Sequence, residues 1–366
     1  MAQPPQAPRS GIRLATIGSV PVYLGWSWLL LAGLVVLVLG PRLAAGPPGY
    51  LLGGAYALGL LVCVLAHEGA HAAVARSHGH EVHRVVADLW GGHTAFDASR
   101  GTPSSAAVIA LAGPGANLAL AAVGGLGLLL TDDRTLLGAV LTAFAVVNLL
   151  LGVFNLLPGL PLDGGQVVES VVWAVSGDQG LGRVVAGWTG RVLVVVVVLI
   201  ALLPALRSGS TPGLTTLVWG AMVGAFLWAG ATGAIASGTA LRQLRRVDLA
   251  ALLEPAVGVR EGEPVARLLQ VTAPPVVLGA DGRPVGLVDH DALRSVPADR
   301  VGDTPVGAVT TYLPAGWSAE LGGTTPTLDV VRAFQTSGSG VVAVTEGGAL
   351  RGLVRAERVD AALRRG

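Results

Sequence analysis

The chain has 366 residues, 52% of them hydrophobic and only 13% charged, with a formal net charge of +1. A mean hydropathy of +0.65 excludes an ordinary soluble composition and fits a chain that crosses a membrane several times. The near-zero charge excludes a nucleic-acid partner, and the one cysteine, Cys63, excludes an internal disulfide framework.

Residues 1–21, with several Pro and Gln, read as an N-terminal tail, mobile or lying on a surface. The first apolar span is expected at about 22–40. Arg42-Leu43-Ala44-Ala45 offers the small residues of a signal-peptide cleavage site. The paired Trp26 and Trp28 fit an interfacial anchor better, and the run is long enough to span. The second span, about 50–75, contains His67-Glu68-Gly69-Ala70-His71, an H-E-x-x-H. On a helix the two imidazoles project from one face, one turn apart, and can take two corners of a tetrahedral zinc site. Glu68 is within reach of a water at such a metal and suits a base. Cys63 lies one turn earlier and reads as a buried, inert thiol.

A polar interval from His78 to Pro103 alternates Val82, Val85, Ala87 and Leu89 before Gly91-Gly92, which predicts a β-hairpin. His78, His80, His83 and His93 read as solvated loop histidines. A third span, about 105–130, contains Gly113-Pro114-Gly115-Ala116-Asn117. A fourth, about 136–157, runs through Asn148 and Asn155 into a turn broken by Pro158 and Pro161, followed by Asp163-Gly164-Gly165. The interval 166–190 is partly amphipathic. Fifth and sixth spans are expected at about 192–206 and 214–236, the fifth short by bilayer arithmetic.

Arginine distribution sets the topology. With the N-terminus inside, ten arginines from Arg9 to Arg246 lie in inner segments and only Arg42, Arg134 and Arg207 lie outside. That favours six spans with both termini cytoplasmic. Asp163, ending an outside-to-inside span, then reaches the depth of the H-E-x-x-H. Two histidines leave a catalytic zinc one protein ligand short. Asp163 is the outstanding candidate, with a helix-capping or loop aspartate as its alternative; Asp88, Asp97 and Asp178 are weaker rivals.

His67-Glu68-x-x-His71, Gly113-Pro114-x-x-Asn117 and Asn155-x-x-Pro158-x-x-Pro161-x-Asp163-Gly164-Gly165 together resemble the motifs of the site-2 protease family of intramembrane zinc metalloproteases, over about residues 15–240. The resemblance implies a six-span catalytic core over residues 22–240. It implies Zn2+ held by His67, His71 and Asp163, with Glu68 as general base. It implies cleavage of the unwound transmembrane helix of a single-span protein. The hairpin around Trp90-Gly91-Gly92 resembles the family's membrane-associated β-element, and Asn155 and Pro158 resemble positions lining the substrate path.

Residues 247–366 carry a repeat offset by 66. Val276-Val277-Leu278 and Gly286-Leu287-Val288 match Val342-Ala343-Val344 and Gly352-Leu353-Val354. The helices before them also match, Pro264–Leu269 with Val330–Gln335. Each unit, about 247–300 and 301–366, reads helix–strand–turn–strand–helix and resembles a CBS (cystathionine β-synthase) domain. Such pairs dimerise and bind adenine nucleotides. Here the nucleotide motif departs: Asp289-His290-Asp291 lacks the hydroxyl and Arg355-Ala356-Glu357 departs further. A regulatory or homodimerising module is favoured over an adenine nucleotide site.

The expected fold is a mostly α membrane protein of six transmembrane helices with a small β-hairpin, plus a soluble α/β CBS pair. The expected function is an intramembrane zinc endopeptidase, with membrane lipid and a single-span protein as partners. A transporter gated by the CBS pair is the alternative, since intramembrane His, Glu and Asp also suit an ion path. An inactive protease-like scaffold is another, but its signature would be a missing ligand or base, and none is missing.

Overall fold

A computed structural model describes residues 11–88, 91–97, 101–131, 135–209, 211, 213–321 and 326–365. Arg9, Leu89, Trp90, Arg100 and Arg134 lie outside the described residues. The chain forms two compact units that divide at Thr239–Ala240.

The first unit opens with β1 (Gly11–Ile17) and β2 (Val20–Gly25), joined through Gly18 at φ +62. The expected tail is therefore an antiparallel hairpin from residue 11 onward. Its physical cause is the alternation Val20, Val22, Leu24, whose side chains are all buried. The remainder of the sheet is β3 (Val82–Asp88) and β4 (Gly91–Phe96), paired antiparallel. Parallel pairing of β2 with β3 completes one four-stranded sheet in the order β1-β2-β3-β4, which leaves β4 at an edge. Val20, Val22, Val82 and Val85 pack on Ala72, Ala75 and Ile109, so the sheet lies against the helix that bears the two histidines.

Six helices among the described residues are long and apolar enough to cross a membrane. The first, Trp26–Leu43, consists of α1 (Trp26–Leu34), a π-turn (Val35–Leu39) and α2 (Gly40–Leu43). It starts at Trp26 rather than 22 because β2 occupies the residues before it. The others are α3 (Pro47–Ser77), α4 (Pro103–Leu128), α5 (Leu136–Asn155), α7 (Gln179–Ser208) and α8 (Leu214–Arg246). Between α5 and α7 lies α6 (Asp163–Ser176), with Asp163 in its first turn. The amphipathic interval is thus helical on both sides of one break. Gly177, at φ +70, ends α6, and the Asp178 carboxylate accepts from the Leu181 N–H to start α7. That early start makes the helix of the fifth span longer than its apolar run. α4 opens with Thr102 and Ser105 in a reciprocal cap.

The second unit holds two copies of one strand pattern. After α9 (Leu249–Leu252), β5 (Val257–Arg260) pairs parallel to β6 (Pro275–Leu278), which pairs antiparallel to β7 (Pro284–Val288). A short α10 (His290–Arg294) follows. β8 (Thr310–Tyr312) then adds to β7. In the second copy β9 (Ser318–Glu320) pairs parallel to β10 (Val341–Glu346), which pairs antiparallel to β11 (Ala349–Arg355). α11 (Pro326–Ser337) and α12 (Ala356–Arg365) flank it. The helix expected at 264–269 is a 3-10 helix, Val265–Gln270, while its counterpart α11 is α-helical.

Each sheet also receives a segment of the other repeat. β8, from the second repeat, extends the first sheet. Glu254, from the first, exchanges both backbone hydrogen bonds with Leu353 of β11, at 2.8 and 2.9 Å. Val276, Trp317, Ala343 and Leu353 form a core shared by the two repeats, and the Trp317 indole donates to the Pro284 carbonyl at 3.1 Å.

Candidate metal centre

α3 presents His67 and His71 one turn apart, and the turn after α5 delivers Asp163 opposite them. His67 Nε2 and His71 Nε2 are 3.0 Å apart. Oδ2 of Asp163 lies 3.1 Å from the first and 3.4 Å from the second. These three side chains form a group able to hold a metal ion.

The hydrogen bonds around the group fix which atoms point inward. His67 Nδ1 donates to Asn117 Oδ1 at 2.5 Å, and His71 Nδ1 donates to the Ile109 carbonyl at 2.7 Å. Both acceptors are carbonyl oxygens, so the Nδ1 atoms carry the protons and both Nε2 lone pairs are left facing one point. Oδ2 of Asp163 is buried and accepts no hydrogen bond. Its other oxygen accepts from Gln166 Nε2 at 3.2 Å. An orphaned carboxylate oxygen beside two unprotonated ring nitrogens is the donor set that suits Zn2+.

Space for the ion comes from a missing side chain. A Cβ at Gly113 of α4 would run into Nε2 of both histidines. Only glycine there leaves room where the three donors converge.

Glu68 is buried beside the group. Its Oε2 accepts from the Thr94 hydroxyl at 2.8 Å, which ties the carboxylate to β4. A Cβ at Gly92 of the same strand would overlap Glu68 Cγ, so β4 crosses directly over this residue.

Behind His67 runs a polar chain through three helices. Asn117 Nδ2 donates to Asn148 Oδ1 at 2.8 Å; Asn148 Nδ2 donates to the Phe144 carbonyl and to Cys63 Sγ, both at 2.9 Å. Both asparagines are 0% exposed. Buried amides at such a depth persist because every group is partnered.

A cavity of about 480 Å³ opens onto the centre. His67, Glu68, His71, Asp163 and Asn155 all line it, with Gly92 and Thr94 of β4. Asn155 Nδ2 donates back to the Leu151 carbonyl at 3.1 Å. Pro158, read from sequence as lining the substrate path, is exposed in the turn and is not part of this wall; Pro161, two residues before Asp163, is. The rivals lie elsewhere: Asp178 caps α7, and Asp88 sits 3.7 Å from His93. His80 bonds the Asp97 carbonyl, and none of the loop histidines joins a metal-holding group among the described residues. Sequence reading missed the parts played by Thr94, Asn148 and Gln166. In the sequence Asn117 and Gly113 stand only as letters of a motif. For Gln166 the signal was its place one turn after Asp163 on a new helix.

The model of Peptidase family M50 matches residues 55–133 and 130–200. Rip3 of Mycobacterium tuberculosis, which carries a zinc-metalloprotease name, is 40% identical over 232 residues, covering 61% of this chain and 58% of its own length. The chain thus spans a little over half of that curated relative. A site-2 protease from Methanocaldococcus jannaschii is similar at 24% identity and TM-score 0.45, covering 62% of this chain and 95% of that one. For the second unit, the CBS domain of a membrane protein from Sphaerobacter thermophilus is similar at 20% identity and TM-score 0.26, covering 36% and 96%. Residues 55–200 of the membrane unit thus match peptidase family M50, and the same unit is similar to a relative that carries a zinc-metalloprotease name.

Proposed function

We propose that the chain is an intramembrane zinc endopeptidase that cleaves a peptide bond in or near the transmembrane helix of a single-span protein. The observation that carries this reading is the buried Glu68 carboxylate beside the His67, His71 and Asp163 group, with both facing one cavity. Zinc held by those three side chains would lower the pKa of a water toward about 7 and polarise a scissile carbonyl.

The chain's own residues do the rest. Asn117 and the Ile109 carbonyl keep the Nδ1 protons in place and the rings fixed. Glu68 takes a proton from the attacking water and returns it to the leaving amine, while the Thr94 hydroxyl holds the carboxylate over the site. A helix hides its carbonyls in its own hydrogen bonds, so a substrate must be extended there. The edge strand β4 offers an extended peptide a partner along the cavity wall. Asn155 lies in that wall and suits contact with the peptide.

Both termini are cytoplasmic in this reading, as the arginine distribution supports. Residues 247–366 serve as a regulatory or dimerising module. Asp291, the carboxylate that could hold a ribose, lies 3.4 Å from Arg294 of its own helix, and the hydroxyl of the nucleotide motif is absent, which supports that role over an adenine nucleotide site.

The test is proteolysis of candidate single-span substrates by the purified full chain in proteoliposomes, wild type against Glu68→Gln. Cleavage should fall by about 100- to 10,000-fold in the variant while bound zinc stays stoichiometric. Equal cleavage by both proteins would refute the assignment of Glu68. Zinc binding without cleavage of any substrate would leave the scaffold reading in its place.

A further inference from the structure

Arg191 sits on α7 immediately before an unbroken apolar run, residues 192–203. Its guanidinium carbon is 4.7 Å from the ring centroid of Trp188 and 5.0 Å from that of Trp228 on α8. Nη2 donates to the Thr232 hydroxyl at 3.2 Å, and that hydroxyl in turn donates to the Trp228 carbonyl. The two indoles are open to the outside, Trp188 54% exposed and Trp228 46%.

No carboxylate pairs with Arg191 among the described residues, and its Nε–H is buried without an acceptor. Arg183, two turns earlier on the same helix, is paired with Glu169 at 3.1 Å. The contrast separates a cation satisfied inside the protein from one presented outward. An unneutralised arginine at the end of a membrane-spanning apolar run is costly unless an anion meets it. Tryptophan beside it marks the depth of the lipid headgroups.

We propose that Arg191, braced by Trp188, Trp228 and Thr232, binds the phosphate of an anionic phospholipid. One acyl chain lies along the exposed stripe Val192, Val195 and Leu199, which continues the same side of α7 toward the bilayer centre. The two rings hold the guanidinium plane by cation–π attraction, so its remaining donors are aimed before the lipid arrives. The exposed indoles leave the guanidinium open to the outside, and its second contact is the acyl track, which points to a lipid. On their other sides these helices grip the turn before Asp163. Gly190 packs on the backbone of Gly159 and Leu160, and Gly230 packs on Pro161. A lipid bridging α7 and α8 here therefore braces the segment that delivers Asp163.

The experiment is native mass spectrometry of the full chain released from nanodiscs of phosphatidylcholine, with or without phosphatidylglycerol. One phosphatidylglycerol should be retained per chain while phosphatidylcholine is lost. Arg191→Ala should weaken retention by about tenfold or more, the worth of a hydrogen bond to a charged group, and Arg191→Lys should keep part of it. Equal retention of the two lipids by wild type, or undiminished retention by Arg191→Ala, would overturn the proposal. Displacement of the lipid by inorganic phosphate alone would also overturn it in favour of a free-anion site. If Arg191→Ala fails to fold, the comparison of the two lipids on wild type and on Trp228→Leu still decides.

Discussion

Asn117 accepts a hydrogen bond of 2.5 Å from Nδ1 of His67, and so determines which face of that imidazole is free. Asn117→Ala should leave the ring without an orienting partner and weaken zinc binding by about 10- to 100-fold. Chelator competition on the purified protein measures this directly. Asn148→Ala should act in the same direction but less, because its amide bonds Asn117 rather than the histidine. Equal zinc affinity in Asn117→Ala and wild type would show that the ring is held by packing alone.

Gly113→Ala tests the space for the ion. The added methyl would occupy the ground between the two Nε2 atoms, so zinc should be lost while the six helices persist. Zinc content by atomic absorption, alongside circular dichroism, separates the two outcomes. Retained stoichiometric zinc would mean that α4 can withdraw from α3 at little cost.

The Glu169 and Arg183 pair offers a test of buried charge. Arg183 Nε and Nη2 reach the two Glu169 oxygens at 3.2 and 3.1 Å, and Gln179 adds a third donor at 3.3 Å. Arg183→Ala strands a buried carboxylate. It should cost about 1–3 kcal/mol, between the surface and fully buried limits, since the arginine is partly exposed. Adding Glu169→Gln to Arg183→Ala should restore part of that loss. Equilibrium unfolding of wild type, Arg183→Ala, Glu169→Gln and the double variant in mixed micelles gives the coupling.

Acid should loosen the first repeat of the second unit. The N–H groups of Ala292 and Asp291, with the Thr311 hydroxyl, hold the Asp289 carboxyl below its ordinary value. The folded state thus favours the ionised form. Its contribution is present in full above the ordinary aspartate range and is lost as pH falls through the folded value. Hydrogen-exchange protection of α10 should decline over that window in wild type. In Asp289→Asn, which can still cap the helix, the decline should be absent.

The parts of the structure that can be read from the chain are those written locally. The apolar runs announce the helices, and His67 and His71 share a face because four residues make about one turn. Val82, Val85 and the Gly91-Gly92 pair announce the hairpin. The N-terminal strands escaped because Val20, Val22 and Leu24 are only three alternating residues, beside a Pro- and Gln-rich stretch that reads as tail. Asn117, Asn148 and Cys63 escaped for a different reason. Each looks inert within its own helix, and their chain of contacts exists only once α3, α4 and α5 are packed. Gly113 escaped in the same way, since the atoms it must avoid belong to another helix.

The length of β4 has a mechanical consequence. Its six residues can pair with a substrate stretch of about the same size. Six residues occupy about 9 Å along a helix axis and about 20 Å as a strand. Docking alongside β4 therefore asks the incoming chain for about 11 Å of slack. A polypeptide tethered on both sides of the bilayer must draw that slack against its anchors, whereas one with a loose end simply slides. If the site cleaves membrane proteins as proposed, freedom of one terminus, as much as any side chain, then decides which of them it takes.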